Sequence, residues 1–74
     1  MQTVSIRQQD NFIRLGQAMK KAAIVSSGVE AKLLITDGQV EVNGEIETRR
    51  GRKLVPGDVI GYNGEKVTVV GGDA

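Results

Sequence analysis

The chain has 74 residues, 39% hydrophobic and 26% charged, with a formal net charge of +1, which fits one small globular domain and argues against disorder. It contains no histidine and no cysteine, and this excludes disulfides, thiol chemistry, zinc sites of the usual kind and imidazole catalysis. Apolar runs such as AAIV are far shorter than the roughly 20 residues of a membrane-spanning helix.

Two further expectations concern class and location. The acidic residues fall mostly in predicted turns and on hairpin faces, and no two of them are expected to lie together in a cleft. We therefore expect neither an enzyme nor a cofactor nor a small-molecule substrate. The N-terminal segment MQTVSIRQQD lacks the apolar core of a signal peptide. We therefore expect a cytoplasmic protein that does not contact membranes, and a monomer.

The first predicted element is a helix over residues 11–25, which Asp10 or Asn11 can cap. One helical stripe of apolar side chains supports it: Leu15, Ala18, Met19 and Ala22. Arg14 and Lys21 share a face beside that stripe. Gly16 weakens the helix by about 1 kcal/mol relative to alanine, which suggests that something approaches the backbone there.

A second helix is predicted from Ser27 to about Asp37. Ser27 and Glu30 have the spacing of a capping box, in which each side chain bonds the other residue's backbone amide. Gly38 supplies the left-handed residue that often ends a helix. The buried stripe consists of Ala31, Leu34 and Ile35.

From Gln39 the apolar period changes to two, which predicts strands. Asn43-Gly44 marks a hairpin, whose loop could have two residues or three. We favour three, because this places Val40 opposite Ile46 and keeps apolar side chains on one face. A turn at Pro56-Gly57 and a second Asn-Gly hairpin at Asn63-Gly64 follow. The sequence thus predicts an α+β fold in which two N-terminal helices pack on a small, mostly antiparallel sheet of four to five short strands.

Positive charge is concentrated in two segments. The helical part carries a surplus of cations, the first hairpin carries a surplus of acids, and residues 49–53, RRGRK, contain four cations in five residues. We call residues 49–53 the basic loop. Because arginine binds phosphate through a planar fork, this pattern indicates a polyanionic partner. With Phe12 and Tyr62 as the only aromatic residues, phosphate and shape recognition of folded RNA is favoured over base stacking.

Three other interpretations remain open at this point. The basic loop could be a solvated turn, and the acidic hairpin could be the contact surface of a protein–protein adaptor. The C-terminal Gly71-Gly72 is reminiscent of ubiquitin-like sulfur carriers, although Asp73-Ala74 follows it here. Residues 71–74 are otherwise expected to be a frayed tail.

The run IRLGQAMKKAAIVSSGVEAKLLITDGQVEVNGEIETRRGRKLVPGDVI, residues 13–60, resembles the alpha-L RNA-binding motif, the domain named for ribosomal small-subunit protein four. It is most similar to the stand-alone bacterial members. Several short motifs carry the resemblance together, in order and at matching spacings: Arg14-Leu15, Ser27, Glu30-Ala31, Leu34-Ile35, Gly38 to Gly44, and Gly57-Asp58.

The resemblance implies one RNA-binding domain over residues 1–74, with the motif at about 13–60 and a final hairpin at 59–70. It implies that structured RNA, such as ribosomal or transfer RNA, lies across the helix pair and the basic loop. Arg14, Lys32 and the loop cations match motif positions, whereas Lys21 is added for its helix face and Ser27 because a helix N-terminus attracts phosphate. The expected RNA-binding residues are Arg14, Lys21, Ser27, Lys32, Arg49, Arg50, Arg52 and Lys53.

The chain departs from the motif at three positions. The motif often has an acid at the position of Gly16, an arginine at Gly28 and a basic residue at Glu45. Two cations that other members carry are therefore missing here.

Overall fold

A computed structural model of the chain describes residues 2–7 and 9–72, and these form two helices and seven short strands. The elements in chain order are β1 (Gln2–Ser5), β2 (Ile13–Arg14), α1 (Leu15–Lys21), α2 (Gly28–Thr36), β3 (Val40–Val42), β4 (Glu45–Ile46), β5 (Lys53–Leu54), β6 (Val59–Tyr62) and β7 (Glu65–Val70). Asp73 and Ala74, the end of the tail discussed above, lie outside the described residues. No helix in the described part of the chain is long and apolar enough to cross a membrane.

Five strands form one sheet in the order β1-β7-β6-β3-β4. β1 is parallel to β7, and the other neighbouring strands are antiparallel. β2 and β5 make a separate two-stranded antiparallel sheet. The predicted architecture of two helices and a mostly antiparallel sheet is confirmed.

Strand β1 was not predicted, because the sequence-based expectation begins with a helix. β1 pairs with β7, and the ladder continues past its end, where the N–H of Ile6 donates to the carbonyl of Val70 at 3.0 Å. Val4 and Ile6 are buried. A four-residue strand whose partner lies at the other end of the chain leaves only a weak local signal, which explains why it was missed.

Helix α1 begins later than predicted. Residues 13 and 14 are not helical, because they pair with β5 as strand β2. Neither Asp10 nor Asn11 caps the helix. Arg14 occupies the N-cap position, and its backbone N–H donates to Oε1 of Gln17 at 3.3 Å.

Helix α1 also ends earlier than residue 25. Its last residue is Lys21, and Ala23 has a left-handed φ of 60°. The chain reverses there, although no glycine marks the position. The predicted apolar stripe of the helix is nevertheless buried, at Leu15, Ala18, Met19 and Ala22.

Helix α2 starts and ends close to where the sequence predicts. The N–H of Glu30 donates to Oγ of Ser27 at 3.2 Å, so Ser27 is the cap. The return bond of the predicted box is displaced by one residue, because Glu30 accepts from the N–H of Ser26 at 2.9 Å. Gly38, with φ of 76°, follows the helix as predicted.

The first hairpin contradicts the three-residue loop. Glu41 lies opposite Ile46 and Val42 opposite Glu45, so the turn has two residues. Asn43 and Gly44 both have positive φ, at 55° and 85°, as in the tight turn that best matches the twist of the flanking strands. Turn geometry therefore overrides the apolar pattern, and Ile46, which the three-residue loop would place on the apolar face, is 65% exposed.

The core is a single cluster that combines side chains from both helices and the large sheet. Leu34 packs against this cluster from a partly buried position. The largest fully buried side chains are Leu15, Met19, Ile35, Val40, Val42, Leu54, Ile60, Val67 and Val69.

Candidate nucleic-acid interface

The basic loop caps helix α1. The first backbone N–H groups of a helix have no partner within the helix. Here the N–H of Leu15 donates to the carbonyl of Arg52 at 2.9 Å, and that of Gly16 donates to the carbonyl of Arg50 at 3.1 Å. The loop backbone is thereby fastened to the first turn of α1.

Arg14 is brought into contact with the same loop. In the β2–β5 pairing it lies opposite Lys53, and its Nη1 donates to the carbonyl of Gly51 at 2.8 Å. The sequence-based hypothesis that the loop and Arg14 share one surface is therefore consistent with the geometry.

Glu47 anchors the loop from within. Glu47 is only 7% exposed. Its two carboxylate oxygens accept hydrogen bonds, one from Nε of Arg49 at 3.2 Å and the other from Nη1 of Arg52 at 3.0 Å. Its Oε2 also accepts from the backbone N–H of Arg49 at 3.1 Å. The arginine hydrogen bonds, that of Arg49 first and that of Arg52 second, lower the pKa of Glu47 to about 2, and they outweigh the opposite effect of burial.

This anchor changes the charge that the loop presents. The side chain of Arg52 is 33% exposed and that of Arg49 is 77% exposed, and both are paired with Glu47. Arg50 and Lys53 form no ion pair among the described residues. The sequence treats the loop cations as equivalent, whereas the structure divides them into two paired and two unpaired cations.

A bridge between two turns holds the end of the loop. Asn43 donates from Nδ2 to Oδ1 of Asp58 at 3.0 Å, and its Oδ1 accepts from the N–H of Val59 at 2.9 Å. Oδ2 of Asp58 accepts from the N–H of Val55 at 2.8 Å, the local backbone bond expected for this aspartate. Burial acts to raise the pKa of Asp58, but the hydrogen bonds from Asn43 and Val55 hold it below its usual value.

Two grooves meet at Arg14 and Gly51. The first lies between the basic loop and α1, and the second runs along the loop itself. The first is lined by Arg14, Gly16, Gln17, Lys20, Gly28, Arg50 and Gly51, and the second by Arg14, Arg49, Gly51, Arg52 and Lys53. We call the cations of these grooves that are not paired with the carboxylate of a described residue the basic face: Arg14, Lys20, Arg50 and Lys53.

Phe12 lies beside the basic face. The guanidinium carbon of Arg14 is 5.3 Å from the centroid of its ring, and Nζ of Lys53 is 4.9 Å from it. Both distances suit a cation–π interaction, which draws the two cations together despite their like charge. This role of Phe12 was not predicted from the sequence, because strand β2 was not predicted.

Three of the expected RNA-binding residues lie apart from these grooves. Lys21 donates from Nζ to the carbonyl of Ser5 at 2.6 Å, so it ties α1 to β1. Lys32 is exposed on α2 and lines neither groove. Ser27 is occupied as the cap of α2, although the next residue, Gly28, lines the first groove.

Sequence reasoning also missed two groove residues. Neither Gln17 nor Lys20 was among the expected RNA-binding residues. Gln17 follows Gly16 by one residue and Lys20 follows it by four, so the three residues lie on one side of a helix. This spacing could have grouped both side chains with Gly16.

Comparison with known proteins identifies relatives. The family model described as the S4 domain matches residues 4–70. Over 53 residues the chain is 46% identical to "Probable ribosome maturation protein RlbA" of Bacillus subtilis (strain 168), which covers 72% of this chain and 75% of that protein. It is 40% identical over 47 residues to the small ribosomal subunit protein uS4m of Schizosaccharomyces pombe, covering 64% of this chain and 14% of that protein.

A solved structure shows the same fold. The chain is 38% identical over 58 residues to YbcJ of Escherichia coli (strain K12), covering 78% of this chain and 83% of that protein. The solution structure of YbcJ, described as revealing an alfaL motif involved in RNA-binding, matches with a TM-score of 0.72 at 36% identity and covers 95% of this chain and 87% of that one. The resemblance to the alpha-L motif is thus confirmed, and neither an adaptor nor a sulfur carrier is among these relatives.

Proposed function

Because the chain belongs to the S4 domain family, we propose that it binds structured RNA through the basic face. The observation that carries the proposal is the placement of Arg14, Lys20, Arg50 and Lys53 around two adjoining grooves without carboxylate partners among the described residues. The names of the relatives support it, since YbcJ is described as containing a motif involved in RNA-binding.

The chemistry of the face favours phosphates as the main contact. Arginine offers several N–H donors in a fork that fits phosphate oxygens, and lysine adds a point charge. Phosphate contacts position a protein on nucleic acid without reading its sequence. We therefore expect recognition through backbone and shape, in which the fold of the RNA matters more than its bases.

Ribosomal RNA is the ligand that we favour. RlbA carries a name referring to ribosome maturation, and uS4m is a ribosomal protein, so two relatives point to ribosomal rather than transfer RNA. We further propose that residues 4–70 act as one RNA-binding unit, as a cytoplasmic monomer. Among the expected residues, Lys21, Ser27 and Lys32 then contribute less to binding than the basic face.

The test compares unpaired cations with a distant lysine. Replacing Lys20 and Arg50 together with glutamine removes two phosphate contacts and should weaken the binding of a folded ribosomal RNA fragment by about 30- to 100-fold in 0.1 M salt. Arg49 and Arg52 are unsuitable, because their loss also leaves Glu47 unpaired. Binding is measured by fluorescence anisotropy with a labelled fragment, and with a transfer RNA in parallel.

The matched control is Lys66→Gln, which removes a cation from β7, outside both grooves. It should change the affinity less than twofold. Equal losses for the control and for the double variant would contradict the assignment of the site, and an absence of binding to either RNA would contradict the proposed function.

A further inference from the structure

We propose that Gly16 is a positioning residue of the basic face, because its missing side chain leaves the space in which the stem of Arg50 lies against α1. Arg50 thereby lines the first groove beside α1. This inference rests on the proposed function for its effect on RNA, whereas its geometric part can be tested without RNA.

The backbone brings the two residues together. The N–H of Gly16 donates to the carbonyl of Arg50 at 3.1 Å, next to the bond from Leu15 to Arg52. Gly16 itself is buried, although it lies in the first turn of a helix whose neighbouring residue Gln17 is exposed. The basic loop is what covers it.

The side chain of Arg50 occupies the place of the missing methyl group. A Cβ atom built on Gly16 would lie 2.6 Å from Cγ of Arg50 and 3.2 Å from its Cδ, both too close for carbon atoms in contact. The carbonyl oxygen of Arg50 would be 3.7 Å away, an ordinary contact. An added methyl group at Gly16 therefore conflicts with the Arg50 stem and not with the loop backbone.

Backbone conformation does not explain the glycine. Gly16 is not among the residues with positive φ, so alanine can adopt its conformation. Alanine is also the better helix former. The close approach of Arg50 accounts for a glycine where helix propensity favours alanine.

Arg50 is free to move when this space is filled. It has no ion pair or side-chain hydrogen bond among the described residues, so neither kind of interaction holds its side chain in place. Gly16→Ala should leave the backbone of the loop attached to α1 and turn the guanidinium away from the groove.

The experiment is a double-mutant cycle on affinity for a folded ribosomal RNA fragment. Arg50→Ala should weaken binding about tenfold, the loss expected for one charged contact. Gly16→Ala should weaken it about three- to tenfold, and the double variant should bind within about twofold of Arg50→Ala, since the two changes remove the same interaction. Gly61→Ala is the control, because it adds one methyl group to a β6 glycine outside both grooves, where only ordinary contacts of 3.5 and 3.7 Å with Glu41 result.

Two results would overturn the inference. In the first, Gly16→Ala binds the RNA within twofold of wild type although Arg50→Ala binds it weakly. In the second, the loss of affinity in the double variant equals the product of the two single losses. If Gly16→Ala does not fold, the folding of the double variant tests the inference, because that variant lacks the Cγ and Cδ atoms of Arg50 that conflict with the added methyl group. A folded double variant supports the inference and an unfolded one overturns it.

A spectroscopic readout separates this inference from the proposed function. In the free protein, nuclear Overhauser contacts should join Hα of Gly16 to Hγ of Arg50, and the Nε–H resonance of Arg50 should shift in Gly16→Ala. Absence of these contacts overturns the positioning role even if RNA binds. If these contacts are present but the protein binds no RNA, the positioning of Arg50 by Gly16 is supported and only the proposed function is refuted.

Discussion

The side chain of Asn43 links two turns that are distant in the sequence. It occupies a hairpin turn with positive φ and bonds Asp58 and Val59 across the molecule. Asn63 occupies the same position in the second hairpin, also with positive φ, but its side chain forms no hydrogen bond with another described residue. The two asparagines, which look equivalent in the sequence, therefore have different roles.

Replacing each asparagine with glycine distinguishes the turn conformation from the side-chain hydrogen bonds. Asn43→Gly keeps the turn conformation but removes two hydrogen bonds, one of them to a carboxylate, so the free energy of unfolding should fall by about 1–2 kcal/mol. Asn63→Gly should change it by less than about 0.5 kcal/mol. Urea unfolding followed by circular dichroism measures both, and equal losses would mean that the bridge to Asp58 adds no stability.

Glu47 makes the stability of the protein depend on pH in the acid range. Its folded pKa of about 2 is below the usual value of 4.5, so its ionised form is favoured by folding. The resulting stability is fully present above about pH 4.5 and is lost as the pH falls towards 2. Glu47→Gln should therefore cost about 1–2 kcal/mol at pH 7 and clearly less at pH 2.5.

Glu45→Gln is the control for this measurement, since Glu45 is exposed on the adjacent strand β4 and has no ion pair among the described residues. Urea unfolding at the two pH values should show no comparable change for it. A cost for Glu47→Gln that is the same at pH 7 and pH 2.5 would exclude the arginine pairs as its source.

Residues of the candidate site were predicted from their charge together with the family pattern. Arg14 and the basic loop were grouped in this way, and the structure brings them into contact. Lys21 and Lys32 were grouped with them, but their neighbours depend on tertiary packing. Gly16 and Glu47 were not assigned to the candidate site. Gly16 is proposed to act through the side chain that it lacks, and Glu47 pairs with Arg49 and Arg52, two of the cations from which the site was predicted.

Among the elements, helix α1 has an end that costs energy. Ala23 adopts a left-handed φ of 60°, which is unfavourable by roughly 1–2 kcal/mol for a residue with a side chain. Ala23→Gly removes this strain, partly offset by the greater flexibility of glycine in the unfolded chain. We expect a gain of about 0.5–1 kcal/mol in the free energy of unfolding.

Ala22→Gly provides the comparison, because Ala22 is buried and has an ordinary φ of −80°. It should destabilise the protein, so neighbouring alanine-to-glycine changes should act in opposite directions. Thermal unfolding of both variants measures this, and a loss of stability in both would contradict strain at Ala23.

The elements that could be predicted are those with local signals at both ends. Helix α2 has Ser27 at its start and Gly38 after its end, and it was predicted closely. Helix α1 was overextended, since its start is decided by pairing with β5 and its end lacks a glycine. The predicted register of the first hairpin was wrong, because the two-residue turn places Ile46 on the exposed side of the sheet.

Across the whole molecule, the basic face and the acidic residues of the first hairpin lie on different elements. Four unpaired cations form the basic face, while Glu41 and Glu45 lie on the hairpin of β3 and β4. A nearly neutral protein can thus present a local positive field. If these four cations contact phosphates, the logarithm of affinity should fall with the logarithm of salt concentration with a slope of about −3.

Titrations of a folded ribosomal RNA fragment at several salt concentrations measure this slope. In the Lys20 and Arg50 double glutamine variant, which retains half of the basic face, the slope should fall to about −1.5. An affinity that does not change with salt would exclude phosphate contacts as the main source of binding.

The parallel pairing of β1 with β7 has a consequence for how this protein is made. The nascent chain delivers β1 first and β7 last, and synthesis proceeds slowly compared with the formation of local structure. Val4 and Ile6 therefore stay without their strand partner until residues 67–70 have left the ribosomal exit tunnel. The helices can form during translation, but the sheet is completed only after β7 has emerged.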